Sequence, residues 1–240
     1  NLEINLNEIK IFLNVNNFNL ELKTNDPKVF FKNKEIKIKS ISTDLPLGNL
    51  LSKKINLEEL KILTHKNKVK NLIEVIRAYK NNPQLFILNK IVKEGSIEIE
   101  SKISFNDDGS IKSNYLIDGN IKDLKIELSN NNIIENINLS FLIREKDYLI
   151  YNLSSLYHSV KIKSNQIKII ENQDGYNFEG DISNLKSRID LSKFSVFLNN
   201  NIKSFFKKEL IISSNNKFSF KLNKKIKFSD INIQSKMSLE

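Results

Sequence analysis

Alternation of apolar and polar residues constrains the fold of this 240-residue chain more than any other feature. It recurs in segment after segment, with turn signals mostly about 8–12 residues apart. In one segment Ile97, Ile99, Ile103 and Phe105 alternate with charged and polar residues. A period of two residues is typical of a strand that buries one face and exposes the other to solvent. The repetition predicts a mainly β chain, with a long curled antiparallel β-sheet in meander order.

Several turn signals separate the predicted strands. Asn106-Asp107-Asp108-Gly109 predicts a hairpin turn, because Gly adopts positive φ without strain. Glu145–Asp147 and Asp174-Gly175 mark two further turns. Asp118-Gly119 instead lies inside a run of strand residues, and a Gly at such a position predicts a bulge or a twist.

Residues 67–95 form the clearest helical stretch in the chain. The apolar residues at helical spacing in its first half are Val69, Leu72, Ile73, Ile76 and Tyr79. Asn82 is suited to cap a second helix that has Pro83 at its first position, and Gly95 is suited to end it. Helices of about three turns are unstable alone in water, so the pair must pack on an apolar surface.

The helical stretch divides the chain into three predicted parts. Residues 1–66 form the N-terminal part of the sheet, 67–95 form a helical pair, and 96–240 continue the sheet. A further short helix is possible at 192–207. We expect the helical pair to cap one end or rim of the sheet, because two short helices cannot cover so many strands.

The formal net charge of +10 has two interpretations. A strongly basic chain is often attracted to nucleic acid or to anionic membranes. Here the Lys residues are spread along the chain without a dense block, so they also fit the solvated faces of amphipathic strands. Phe and Tyr share a face with Ile and Leu rather than with Lys, which argues against stacking on nucleic-acid bases.

The sequence contains no recognisable catalytic or metal-binding motif. It has no Cys, which excludes disulfides and thiolate chemistry, and its two His residues, His65 and His158, are far apart. Its six Gly residues form neither a phosphate-binding loop nor a nucleophile elbow. We therefore expect no enzyme activity, metal or cofactor.

The apolar face of the predicted sheet must be covered. A second sheet or closure into a barrel would produce a closed core, and the chain would then serve as a structural or protein-interaction module. Alternatively, the face remains open as a groove that takes up acyl chains. The alternation of residues is compatible with both arrangements.

Residues 41–128 resemble the AsmA-like proteins of Gram-negative bacteria. The similar features are Leu45-Pro46-Leu47 followed by Leu50-Leu51, and a strand carrying Leu60, Ile62 and Thr64. A helix pair interrupted at Asn82-Pro83 and a strand starting Gly95-Ser96-Ile97 follow in the same order. The rest of the chain is similar only as amphipathic strands.

The resemblance implies a repeating β-groove related to that of the eukaryotic bridge-like lipid-transfer proteins. It also implies phospholipid transport between the inner and outer membranes, without catalytic residues. The implied location is the periplasm, with anchoring to the inner membrane by a segment that this chain does not contain. The expected partners are phospholipid or another acyl lipid, the membrane, and possible envelope proteins, but not nucleic acid.

Eleven residues are predicted to line the groove and contact lipid. They are Ile97, Ile99, Ile103, Phe105, Tyr115, Ile117, Ile121, Ile137, Leu139, Phe141 and Ile143.

Overall fold

A computed structural model gives the structure of residues 2–16, 18–48, 57, 59–80, 82–106, 108–129, 132–190 and 209–239. These residues form fifteen strands and two short helices, which confirms the prediction of a mainly β chain. The possible helix at 192–207 and the Leu50-Leu51 pair lie outside the described residues.

The first eight strands are β1 (Leu2–Asn5), β2 (Ile9–Asn14), β3 (Asn19–Asn25), β4 (Lys28–Phe31), β5 (Lys34–Pro46), β6 (Glu59–Thr64), β7 (Asn67–Lys68) and β8 (Val92–Ser104). The helices α1 (Val69–Tyr79) and α2 (Pro83–Ile91) lie between β7 and β8. The remaining strands are β9 (Leu116–Ser129), β10 (Asn132–Arg144), β11 (Asp147–Tyr157), β12 (Val160–Glu171), β13 (Gly175–Asp190), β14 (Glu209–Asn223) and β15 (Phe228–Leu239).

The fifteen strands belong to one antiparallel sheet that is not closed. Its order is β1-β4-β5-β6-β8, followed by β9 to β15 in sequence. Strand β3 also pairs with β5 and carries β2, while β7 pairs with β8. From β8 to β15 each strand lies beside its neighbours in the chain, as expected for antiparallel strands joined by short turns.

The chain divides into two compact units, and each is described by itself. Unit 1 comprises Asn1–Ile121 and Phe141–Glu145. Unit 2 comprises Lys122–Ser140 and Lys146–Glu240. The helical pair lies within unit 1.

Residues with a left-handed backbone make the tight turns. Lys32 and Asn33, with φ of 46° and 64°, connect β4 to β5, which is the geometry of a two-residue hairpin. The predicted turn near Gly109 is confirmed, because the Gly109 amide donates to the Asn106 carbonyl at 2.9 Å. Hydrogen bonds from the Ser110 hydroxyl and amide lower the pKa of Asp108 in that turn.

Two buried apolar residues and a buried Asn hold helix α1 against the rest of unit 1. Val69 and Ile73 are buried. Immediately before the helix, the Asn67 side chain accepts from the Lys37 amide at 2.9 Å. It also donates to the carbonyls of Lys37 and His65 at 3.0 and 2.9 Å. These bonds satisfy both polar groups of a buried amide, so Asn67 joins the start of α1 to β5 without a desolvation penalty.

Helix α2 begins as predicted but ends earlier. The Asn82 side chain accepts from the Leu85 amide at 2.8 Å, and Pro83 takes the first position. The prediction that Gly95 ends the helix is wrong: the helix stops at Ile91, and Gly95 lies within β8. Pairing of β7 with β8 at Asn67 and Ile97 draws this segment into the sheet, and a local capping preference is weaker than such pairing.

β-Bulges interrupt several strands of unit 2. The register between β12 and β13 shifts by one residue between Lys163 and Ile167. Comparable shifts occur in β13 near Lys186 and in β15 near Asp230, which have φ of 40° and 52°. An extra residue in one strand reverses the alternation beyond it. Residues of different parity therefore lie on the same face of these strands.

Candidate functional site

Cross-strand pairing in unit 1 sorts apolar and charged side chains onto opposite faces. Residues that are direct antiparallel partners share a face of the sheet. One row contains Ile11, Leu22, Thr43, Leu60 and Ile103, and we call the side that carries it the isoleucine face. The adjacent row on the opposite side contains Lys10, Lys23, Ser42, Lys61 and Lys102.

Most of the predicted lipid-contacting residues lie in unit 1. Ile97, Ile99 and Ile103 share the isoleucine face of β8, since they are separated by even numbers of residues and Ile103 pairs with Leu60. Ile117 and Ile121 likewise share one face of β9, and Phe141 and Ile143 share one face of β10. Among these residues Ile97 is buried and the others are half-buried.

Phe105 and Tyr115 lie next to the ends of β8 and β9. Phe105 forms an isolated bridge with Ile111, which is exposed. The Tyr115 hydroxyl donates to the Glu145 carbonyl at 2.9 Å, so its ring is tied to the turn that follows β10. Both residues are half-buried.

Ile137 and Leu139 belong to unit 2 and alternate with Asn138 and Ser140 on β10. Ile137 is buried and Leu139 is half-buried. The structure thus places all eleven predicted residues on or next to β8, β9 and β10, nine in unit 1 and two in unit 2.

Gly119 allows the Phe141 ring to approach the backbone of β9. A Cβ at this position would lie 2.5 Å from Cζ of Phe141 and 2.8 Å from the Glu98 carbonyl oxygen. Both distances are shorter than real Cβ contacts. Asp123, with φ of 51°, is a left-handed residue of β9.

Gly119→Ala should therefore destabilise unit 1 by about 2 kcal/mol, as overpacking does. Phe141→Leu in the same chain should recover part of this loss, because it removes the ring but not the Glu98 carbonyl. Denaturant unfolding of the two single variants and the double variant checks the coupling. Additive losses would show that Gly119 and Phe141 do not oppose each other.

Unit 2 carries phenylalanines on one face, which we call the phenylalanine face. One row contains Ile169, Phe178 and Phe220, and the next contains Ile167, Gly180, Phe218 and Ile233. The Phe178 and Phe220 rings stack at 4.6 Å, and the Phe220 and Phe228 rings lie 5.5 Å apart. The predicted lipid-contacting set omits these residues, although the alternation around Phe218 and Phe220 is visible in the sequence.

A hydrogen-bonded polar group also lies on the phenylalanine face. Asn216 donates to Ser214 at 2.9 Å and accepts from Ser235 at 2.6 Å, and Ser214 is hydrogen-bonded to Asn184. Asn184 and Asn216 further donate to the backbone carbonyls of Ile212 and Ile182. Sequence reasoning missed this group, because its members come from three strands and pair only in the folded sheet.

The opposite faces are polar and carry charged side chains of both signs. In unit 1 the hydrogen bond from Lys61 to the Asp44 carboxylate raises the pKa of that ammonium group. In unit 2 a depression of about 480 Å³ lies among Lys168, Glu179, Asp181 and Lys217. The Asp181 carboxylate accepts from the Asn165 and Gln166 amides, which hold it in place.

Both His residues of the chain have identified neighbours. His65 Nε2 lies 2.6 Å from the Asp26 carboxylate, and the His158 ring packs on Tyr157 with centroids 4.4 Å apart. No group of three or more His, Asp or Glu residues that could hold a metal ion occurs among the described residues. No helix there is long and apolar enough to cross a bilayer.

Comparison with known protein families, curated proteins and solved structures gave no match for this chain.

Proposed function

We propose that this protein carries lipid, holding acyl chains along a hydrophobic face of an antiparallel sheet and letting them slide without chemistry. The cargo is phospholipid or another acyl lipid. The setting is the periplasm, between inner and outer membranes, as the resemblance to the AsmA-like proteins implies. The sequence features within residues 41–128 carry that resemblance.

The observation that carries the proposal is the incomplete burial of the hydrophobic rows. Residues of a closed core are mostly fully buried. In the row of Ile11, Leu22, Thr43, Leu60 and Ile103, Ile11 is 64% exposed and the other four are half-buried. The phenylalanine face is similar: Phe178, Phe218 and Phe220 are half-buried and Ile233 is 65% exposed. These side chains retain apolar area that a ligand can cover.

An acyl chain is suited to cover such area. Each methylene group transferred from water to an apolar surface contributes about 0.8 kcal/mol. The rows cross the strands at the inter-strand spacing of about 4.8 Å, so an extended chain can contact one side chain per strand. Such contacts lack directional hydrogen bonds, and the chain can therefore shift along the row.

Site-specific photocrosslinking tests the proposal. A photoreactive phenylalanine analogue at Ile103 should crosslink to phospholipid, whereas the same analogue at Lys102 should not. The two positions are adjacent in β8 and point to opposite faces, so they are matched in strand, depth and exposure to reagent. Equal labelling at both positions, or labelling only at Lys102, would reject the proposal.

Native mass spectrometry separates this function from the alternative of a structural or protein-interaction module. A lipid carrier purified without detergent retains phospholipid, which appears as a mass increment that organic extraction removes. A lipid-free chain that gains no mass after incubation with phospholipid vesicles would favour the interaction module.

A further inference from the structure

Helix α2 exposes an unusual amount of apolar surface. Its sequence is apolar on nearly all sides, yet none of its residues is buried. Phe86, Ile87 and Leu88 are 55%, 46% and 41% exposed, and Tyr79 at the end of α1 is 85% exposed. A helix that is apolar all round is normally enclosed. Clustered exposure of this kind indicates a surface that binds another apolar phase.

Basic residues surround these exposed apolar side chains of Tyr79, Phe86, Ile87 and Leu88, which we call the apolar tip. Between Lys68 and Lys93 the sequence has six cationic side chains and one carboxylate, Glu74. Glu74 is already paired with Lys34 of the β4–β5 hairpin. Lys80 and Lys90 are exposed, and α2 itself carries no acidic residue. An apolar helix bordered by Lys and Arg is suited to an anionic bilayer surface.

A basic depression lies directly beside the helices. It has a volume of about 540 Å³ and is lined by Lys32, Lys34, Glu74, Arg77, Ala78 and Asn89. Arg77 Nε and Asn89 Oδ1 have no hydrogen-bond partner among the described residues. Lys32 donates to the Ala78 carbonyl at 3.1 Å and has further donor capacity. Three of the six lining residues are cationic, and Glu74 is paired with Lys34, so Lys32 and Arg77 supply the net positive charge that attracts a phosphate group.

Arg77 links the depression to the apolar tip. Its guanidinium lies 5.2 Å from the centre of the Phe86 ring, within cation–π distance. A phosphate bound near Arg77 thus lies next to the side chain that would enter the hydrocarbon boundary. This is the order of groups in a phospholipid, with the charged headgroup outside the acyl region.

We propose that the α1–α2 pair docks on a bilayer that contains anionic phospholipid. Phe86, Ile87 and Leu88 enter the interface between headgroups and acyl chains, and the Lys32–Arg77 depression receives a lipid phosphate. The docking surface shares no residue with the hydrophobic rows, so the proposal does not depend on the proposed function. It provides a place where the protein meets a membrane.

Vesicle flotation with the full chain tests the docking. The protein should float with vesicles of phosphatidylcholine and phosphatidylglycerol and much less with phosphatidylcholine alone. Phe86→Ser with Leu88→Ser should lower partitioning by at least about tenfold, because two apolar side chains are lost. Lys80→Glu with Lys90→Glu should lower it by about fivefold per residue, and high salt should have the same effect.

Two controls make the result decisive. Phe12→Ser with Leu185→Ser removes side chains that are 49% and 74% exposed and belong to none of the hydrophobic rows, and it should leave partitioning unchanged. Ile103→Asp should also leave it unchanged, which separates docking from acyl-chain capture. Equal loss in the Phe12 and Leu185 control, equal binding to phosphatidylcholine alone, or no vesicle binding would overturn the proposal. The Lys variants change only exposed residues, so the test does not depend on the folding of the helix variants.

Discussion

Ile99→Asp and Ile103→Asp are each expected to lower acyl-chain binding by more than about tenfold. Each change puts a carboxylate on the isoleucine face, where a bound chain would have to desolvate it. Both residues are half-buried, so water still reaches the new carboxylate in the ligand-free protein and the sheet should remain folded. Displacement of a fluorescent fatty acid measures the loss, and circular dichroism verifies the strand content.

Lys102→Asp is the matched control for Ile103→Asp. It introduces the same carboxylate one position away on the opposite face, where its antiparallel partner is Lys61. An acid opposite a Lys is favourable, so this variant should bind lipid normally and be no less stable. If Lys102→Asp loses binding as severely as Ile103→Asp, the loss arises from charge or misfolding and the isoleucine face does not hold the chain. Ile103→Asn repeats the test without a charge.

Gly175→Ala is expected to cause the largest loss of stability in unit 2, about 3 kcal/mol or more. A Cβ at this position would lie 2.1 Å from the Leu222 carbonyl oxygen and 2.7 Å from Cα of Asn223. Both atoms belong to the backbone of β14, so no side-chain rotation relieves the overlap. The φ of 157° is also rare for residues with a side chain.

Two other glycines provide a graded comparison for Gly175→Ala. Gly109 has φ of 80° but no atom within 4 Å of the place that a Cβ would take, so Gly109→Ala should cost about 1 kcal/mol from backbone strain alone. Gly48 has neither constraint, and Gly48→Ala should stay within about 0.5 kcal/mol. Thermal unfolding gives the order, and hydrogen exchange of β12 to β14 locates the damage. A Gly175→Ala chain as stable as Gly48→Ala would contradict the close approach to β14.

The sequence predicts the strands well because alternation is a local property. Ile97, Ile99 and Ile103 share a face simply because their spacing is even, and the register of β8 with β6 agrees with it. The Asn82 cap is equally local, since the side chain bonds an amide three residues away. In these cases the short-range preference and the tertiary structure favour the same conformation.

Features that depend on partners distant in sequence were not predictable. The end of α2 differs from the prediction because Gly95 lies inside β8, and the pairing of Ser96 and Ile97 with β7 depends on the fold. The hydrogen bonds joining Asn184, Ser214 and Asn216 require the alignment of β13 with β14. Each of these polar residues alone resembles an ordinary surface residue of a strand.

The sequence predicts part of the candidate site, namely the residues of β8 to β10, but not the phenylalanine face. The eleven predicted residues lie on or next to β8, β9 and β10, where apolar and polar residues alternate in short uninterrupted runs. The alternation around Phe218 and Phe220 is local, but the rows of the phenylalanine face bring together residues of separate strands, such as Ile169, Phe178 and Phe220, whose register exists only in the folded sheet.

A bulge allows a strand to gain one residue without losing its apolar face. Inserting one residue into a regular strand reverses the orientation of every side chain beyond it. In β12, β13 and β15 the extra residue is absorbed at a bulge, and the apolar set resumes in the opposite phase. The apolar side chains of unit 2 therefore stay on one face of the sheet even where the number of residues between them along the strand changes from even to odd.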